Sequence, residues 1–290
     1  VISGLLSVGC QPALAGIVPT PTVQIVVDQI HASGGIILSA SHNPPEWNAL
    51  KFVGPNGSFL TERESGELLN LYNQPVRAFV EELEYRYLRT METAFDLHRE
   101  RIVRSLDVDA IRRANLSVAV DCCNGAGALY SRSFLEALGC RVLPLFDEPD
   151  GVFRRPPEPL PENLTALGRT VREHGCAVGF AQDPDGDRLA ILDETGAPLG
   201  EQFSIVLACE HVLSKTPGDV VVNVQTTRSV EDVAARSGSR VHYTPVGEVH
   251  VSSRMRDIGA VLGGEGSSGG ILWPAVHPCR DSYTGMALIL

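Results

Sequence analysis

The sequence predicts an α/β protein of three consecutive, related domains with mixed, mostly parallel sheets. One recurring plan carries most of this expectation. A helix-like stretch ends at glycine, a short apolar run follows, and a loop of small and polar residues comes next. The plan occurs in "HASGGIILSASHNP" (31–44), "REHGCAVGFAQDPDGDR" (172–188) and "RDIGAVLGGEGSSGG" (256–270). Apolar runs such as 36–38, 176–181 and 260–262 suit strands buried on both faces of a helix-covered sheet. Ligand loops in such sheets lie at the carboxyl ends of strands, so each domain would offer one loop to a shared cleft. The intervals between the copies are irregular, which excludes a solenoid. A length of 290 residues allows two or three domains with separate cores.

The elements follow in order. "VISGLLSVGC" places Ile2, Leu5, Leu6 and Val8 at helical spacing and a stop at Gly9, so the chain is expected to open inside a helix. The first domain is expected over 1–95. The segment 81–106 is charged and free of Gly and Pro, which reads as a linking helix with a solvated face. "LSVAVDCC" (116–123) is the first strand of a second domain over 96–197. In that domain the proline-rich 144–164 forms a rigid loop, and "LAILD" with the turn "ETGAP" closes the unit. "GDVVVNV" (218–224) anchors a third domain over 198–290, which ends in the helical start "DSYTGMALIL" without a stop. These ends read as those of an internal piece of a longer polypeptide.

Bulk properties remove several function classes. The formal charge of −11 argues against a nucleic-acid partner bound by phosphate neutralisation. It leaves room for a phosphorylated small substrate, because a local basic cluster can sit in an acidic whole. The seven cysteines are scattered, with one adjacent pair and no CxxC, as expected for reduced thiols in a cytoplasmic protein. No apolar stretch approaches the roughly 20 residues of a membrane span, so no membrane partner is expected.

"DPDGDR" carries the sharpest chemistry. Asp183, Asp185 and Asp187 alternate, so an extended backbone can turn all three to one side. Crowded carboxylates repel one another unless protons or a cation sit between them. Oxygen-only ligands favour a hard cation such as Mg²⁺. A calcium EF-hand loop fails, because Arg188 stands where its sixth-position glycine must be, although Glu194 falls at the twelfth. The bland alternative is a solvated acidic turn. Arg188 could grip a phosphate or a sugar oxygen.

"ILSASHNPPEWNALKF" (37–52) ends a strand in a polar, proline-stiffened turn, with Lys51 ten residues beyond Ser41. A serine hydroxyl can carry a phosphoryl group if a cation screens the charge and an acid/base manages the protons. Lys51 could fold back to serve there, although taken alone it reads as a surface lysine.

With "SASHNPPEWNALKF", "DPDGDR" and "GGEGSSGG" in this order, the chain resembles the α-D-phosphohexomutase family over essentially its whole length, "GIVPTPTVQ" (16–24) and "TPVGE" (244–248) included. The resemblance implies that Ser41 is phosphorylated, that His42 and Asn43 shape its loop, and that Lys51 is the general acid/base. It implies that Asp183, Asp185 and Asp187 hold Mg²⁺ together with the Ser41 phosphate. It makes Arg188, Asn43, Glu265 and Ser267 candidates for substrate binding. The implied cycle has two in-line transfers. Phosphoserine donates to a hexose monophosphate, the hexose 1,6-bisphosphate intermediate (also the activator) turns over, and Ser41 takes the other phosphate back. Assembly is expected to be monomeric or homodimeric.

Departures from the family pattern shape the remaining expectations. The family has four domains, and the opening strand of the first and the fourth domain with its phosphate-binding Arg-Pro-Ser-Gly-Thr loop are not found here. The chain alone is therefore expected to be weakly active or inactive. Many members carry Gly-Glu-x-Ser-Gly-His in the sugar loop, whereas Ser267-Ser268-Gly269-Gly270 follows Glu265-Gly266 here. Whether Ser267 or Ser268 meets the sugar stays open. The histidine-free form leans toward phosphoglucosamine mutase, with phosphomannomutase/phosphoglucomutase as the alternative. A metal-dependent phosphatase and a non-catalytic sugar-phosphate sensor are the competitors from other classes.

Overall fold

The computed structural model describes residues 1–44, 46–75, 79 and 88–290; residues 81–87 of the expected linking segment lie outside the described residues. The first domain holds β1 (Ala13–Leu14), β2 (Gly35–Leu38), β3 (Leu50–Val53) and β4 (Arg89–Thr90), with helices α1 (Ile2–Ser7), α2 (Thr20–Gln29) and α3 (Glu62–Tyr72). β2 and β3 form an antiparallel pair that sets Ile37 opposite Lys51. β1 and β4 pair in parallel. α3 begins in a capping box, Thr61 accepting from the Glu64 N–H while the Glu64 carboxylate accepts from that of Thr61, which satisfies two orphan donors.

The linking helix α4 (Ala94–Arg104) keeps its charges outward and buries Ala94, Phe95, His98 and Ile102. After α5 (Val108–Ala114), the second sheet takes the order β6–β5–β7–β8, from β5 (Ser117–Asp121), β6 (Arg141–Leu145), β7 (Val178–Gln182) and β8 (Leu189–Leu192). β8 alone in this sheet runs antiparallel. α6 (Ser131–Ala137) and α7 (Thr165–His174) connect its strands. The third sheet takes the order β10–β9–β11–β12–β13, from β9 (Val220–Asn223), β10 (Val241–Thr244), β11 (Leu262–Glu265), β12 (Gly270–Trp273) and β13 (His277–Arg280). Its helices are α8 (Gln202–Lys215), α9 (Ser229–Arg236), α10 (Glu248–Ile258) and α11 (Ser282–Ile289). The chain therefore forms three α/β domains.

Two of the three copies of the recurring plan fold as expected. Gly175 (φ +62°) and Gly259 (φ +66°) are left-handed caps of α7 and α10, a conformation glycine enters without a Cβ penalty. The first copy differs. α2 ends earlier, and His31 takes the left-handed conformation after it. Gly34 instead allows close packing, since a Cβ there would lie 2.8 Å from the Val53 carbonyl oxygen. β2 also departs from the expectation of burial on both faces. Ile37 packs with Val27 and Val53, but Leu38 is 64% exposed.

One apolar cluster runs through all three domains. Ile25 from α2, Phe95 and Ile102 from α4, Phe134 and Phe180 from the second domain and Tyr283 and Met286 from α11 share it. Tyr283 is fully buried and meets Phe95 and Phe134 edge-on at 4.9 and 5.2 Å between centroids. Such pairs contribute about 0.5–1.5 kcal/mol beyond area burial. The domains are thereby packed as neighbours around the site. No helix among the described residues is long and apolar enough to cross a membrane, and all seven cysteines are free thiols.

Candidate active site

Ser41 follows β2 with φ +54°, a conformation uncommon for a residue with a side chain and one that clusters at functional sites. The turn holds it there: the Ser41 N–H donates to Ser39 Oγ at 2.9 Å, and the Asn43 N–H donates to the Ala40 carbonyl at 3.1 Å. The Ser41 hydroxyl donates to Asp183 Oδ2 at 3.0 Å, reaching from the first domain into the second. His42 Nδ1 lies 3.2 Å from the same hydroxyl, and its Nε2 lies 3.4 Å from the Arg188 guanidinium. Burial, and then the Arg188 charge, lower the His42 pKa, so the ring is neutral at pH 7.

The aspartate loop follows β7, where its carboxylates are buried and bring one oxygen each within 4.8 Å of the others. Asp183 has both oxygens engaged, Oδ2 by Ser41, and the other two have one each. Asp183 Oδ1 accepts from the N–H groups of Asp187 and Arg188, both at 3.1 Å. Asp185 Oδ2 accepts from Thr20 Oγ1 at 2.7 Å and from Lys51 Nζ at 2.5 Å. Asp187 Oδ2 accepts from Arg280. The remaining oxygens, Asp185 Oδ1 and Asp187 Oδ1, are buried without a hydrogen-bond partner. Unpaired buried carboxylate oxygens are costly, so a cation between them fits this donor set. Burial and then the charges of Asp187 and Asp185 push Asp183 well above the usual carboxylate range. Burial alone would push Asp185 up too, but the Lys51 ammonium overrides it and holds that carboxyl low. Burial would lower Lys51, yet Asp185 and Asp187 raise it, so it keeps its proton at neutral pH.

Lys51, Arg188, Glu265, Ser267, Ser268 and Arg280 all line one cleft of about 810 Å³. Lys51 and Arg280 join it to the aspartate loop. Glu265 ends β11, and Oε1 accepts from Asn223 Nδ2 at 3.0 Å and the Gly247 N–H at 2.7 Å, while Oε2 accepts from Arg280 at 3.2 Å. The Ser268 hydroxyl turns inward to the Glu265 carbonyl at 3.3 Å, and Ser267 is the more exposed of the pair. Asn43 is exposed and lies in the serine turn, outside the cleft lining.

Three sequence profiles of the phosphoglucomutase/phosphomannomutase family match this chain: α/β/α domain I over residues 1–76, domain II over 96–196 and domain III over 200–290. The chain belongs to that family. Among its relatives, a protein of Methanopyrus kandleri named a probable phosphoglucosamine mutase is 38% identical over 97% of the chain and 62% of its own length. The phosphoglucomutase/phosphomannomutase of Thermococcus kodakarensis is 36% identical over 100% of the chain and 63% of its own length. A solved phosphoglucomutase/phosphomannomutase family protein of Burkholderia thailandensis superposes with a TM-score of 0.85 at 25% identity, covering 99% of the chain and 63% of that structure. The chain thus spans somewhat under two thirds of the length of these relatives.

Several residues at this site were not singled out by sequence reasoning. Arg280 reaches Asp187, Glu265 and Ser268 from the end of β13. A Cβ on Gly270 would lie 2.5 Å from Arg280 Cδ, so the glycine at this position makes room for this arginine. Glu158, inside the proline-rich loop, accepts from Arg188 at 2.7 Å. Burial raises the Glu248 carboxyl to about 7, with Arg280 and Gln24 opposing. Thr20 and Glu248 lie in the quoted stretches 16–24 and 244–248, but a threonine after Pro19 and a glutamate after Gly247 carry no signal of their chemistry.

Proposed function

We propose that the chain carries the phosphoserine, metal and sugar loops of a phosphohexomutase that interconverts hexose 1-phosphates and 6-phosphates. The observation that carries this reading is the Ser41 hydroxyl at 3.0 Å from Asp183, beside two aspartates with unpaired buried oxygens. In this reading Asp183, Asp185 and Asp187 would hold Mg²⁺ with the Ser41 phosphate, and the ion would offset charge on the transferred phosphoryl group.

The chain's own residues supply the rest. Ser41 accepts and donates the phosphoryl group from a turn that fixes its backbone. Asp183 and His42 hold its oxygen between them when the phosphate is gone. Lys51 enters with its proton, so it acts first as acid and as a cation beside the moving group, and as base only after giving that proton up. Arg188, beside His42, takes an anionic or hydroxyl oxygen of the substrate. Glu265 and Ser267 face the cleft as the sugar-hydroxyl partners, a carboxylate beside a hydroxyl being suited to a diol. Hexose 1,6-bisphosphate serves as activator and intermediate.

Phosphoglucosamine mutase is the form we favour, on the histidine-free sugar loop and the Methanopyrus relative. The Thermococcus relative supports phosphomannomutase/phosphoglucomutase as the second reading. Conversion of glucosamine, mannose and glucose 6-phosphates by the protein and by its Ser41→Ala variant tests both. Turnover lost in the variant supports the mutase, and the preferred sugar separates the readings. Phosphate release without an isomeric product would indicate a phosphatase instead.

A further inference from the structure

The aspartate loop belongs to the second domain, whose own N–H groups hold Asp183, yet the groups that hold Asp185 and Asp187 by their side chains come from the other two domains. On one side, the Thr20 N–H donates to the Asp185 carbonyl at 2.8 Å, and Thr20 Oγ1 donates to the Asp185 carboxylate at 2.7 Å. On the other, Ser282 Oγ donates to the Gly186 carbonyl at 2.6 Å, and Arg280 holds Asp187.

These two grips are joined behind the loop. Thr22 Oγ1 lies 2.9 Å from His98 Nδ1, and His98 Nε2 lies 2.8 Å from Asp281 Oδ2. Gln24 donates to Glu248 at 2.8 Å, and the same carboxylate accepts from the Arg280 N–H at 3.1 Å. Thr20, Thr22, Gln24, His98 and Asp281 are all buried, so these bonds lie away from water.

We infer that this closed collar is the device that turns the free oxygens of Asp185 and Asp187 toward one point, with Thr20 as its principal positioning residue. The inference rests on the proposed metal role of the three aspartates. Its consequence is that cation affinity depends on how the first and third domains dock, and docking on the cation, because such coupling is reciprocal. Thr20 is the sharpest place to test it. Replacing Arg280 would also remove a positive charge and so favour a cation for another reason, whereas Thr20→Val alters no charge.

Mn²⁺ binding to the chain, read by electron paramagnetic resonance of the free ion, gives the test without any catalysis. Thr20→Val is expected to weaken binding about tenfold or more, in line with other residues that orient metal ligands. Thr20→Ser, which keeps the hydroxyl, is expected to stay within about twofold or threefold of the native chain. Wild-type affinity in Thr20→Val, with binding lost in Asp185→Asn, would overturn the collar and leave the metal reading standing. Unchanged binding in Asp185→Asn would overturn both. Should Thr20→Val fail to fold, hydrogen exchange on the native chain decides. Mn²⁺ is expected to protect 19–29 and 277–289 as well as 178–190, and protection confined to 178–190 would overturn the inference.

Discussion

Ser41 and Asp183 stand 142 positions apart in the chain, yet the serine hydroxyl donates to the aspartate carboxylate at 3.0 Å. Two sheets meet at this bond. β2 delivers the serine and β7 the aspartate, each at its carboxyl end, and the three-domain apolar cluster around Tyr283 packs α2 of the first domain, through Ile25, with Phe180 of β7. A serine hydroxyl beside three buried carboxylates follows from that packing.

Lys51 bridges the cleft and Asp185. Lys51→Gln is expected to lower kcat by about a hundredfold or more, the usual range for a lost acid/base group, with a smaller change in KM. Steady-state kinetics on the mutase substrates check this. A fall confined to KM would assign Lys51 to binding alone.

Glu158 accepts a hydrogen bond from Arg188 at 2.7 Å at the wall of the cleft. Glu158→Gln keeps an acceptor but removes the competing charge, so sugar phosphates are expected to bind about twofold to fivefold tighter at low salt. Calorimetric titration of both chains measures it, and weaker binding would make Glu158 a positioning group for the arginine.

His277 is buried where the third domain meets the first, with Nε2 3.1 Å from the Gly57 carbonyl. Burial lowers its pKa to about 4, with Asp28 and the Gly57 contact opposing, and Arg101 and Arg256 adding to the shift. Between pH 6.5 and 4 the unfolded chain therefore binds a proton that the folded chain refuses. Stability falls as pH drops through that window, by at most about 3 kcal/mol from this group, and changes no further from it below pH 4. Urea unfolding across this range checks the slope, which is expected to be smaller in His277→Gln.

Tyr283 fills the shared core, and its hydroxyl lies 3.0 Å from Ser131 Oγ. Tyr283→Phe is expected to cost about 0.5–1.5 kcal/mol for the lost hydrogen bond. Tyr283→Ala is expected to cost about 3–5 kcal/mol, because it removes the ring and leaves a cavity. Denaturant midpoints of both variants measure the difference.

The sequence was most informative where chemistry is contiguous. Asp183, Asp185 and Asp187 can be read as a carboxylate cluster because five residues contain the whole set, and the apolar runs before Asp183 and Glu265 announce their strands. Arg280, Thr20 and His98 are opaque in sequence for the opposite reason. Their partners Asp187, Asp185 and Asp281 lie 93, 165 and 183 positions away, and nothing local marks the contact. The first glycine pair misleads because Gly34 serves close packing against Val53, while the helix before it has already ended. Leu38 misleads because the apolar run 36–38 carries no mark of which face stays open. Ser267 and Ser268 look alike in sequence. The fold distinguishes them by turning Ser268 inward toward Glu265.

The most direct measurement is phosphopeptide mapping of the full-length protein after incubation with Mg²⁺ and phosphate-labelled glucose 1,6-bisphosphate. Label is expected on the peptide that contains Ser41, discharged when a hexose monophosphate is added. A folded, metal-binding chain that takes no label at Ser41, or holds label that no hexose monophosphate removes, would contradict it.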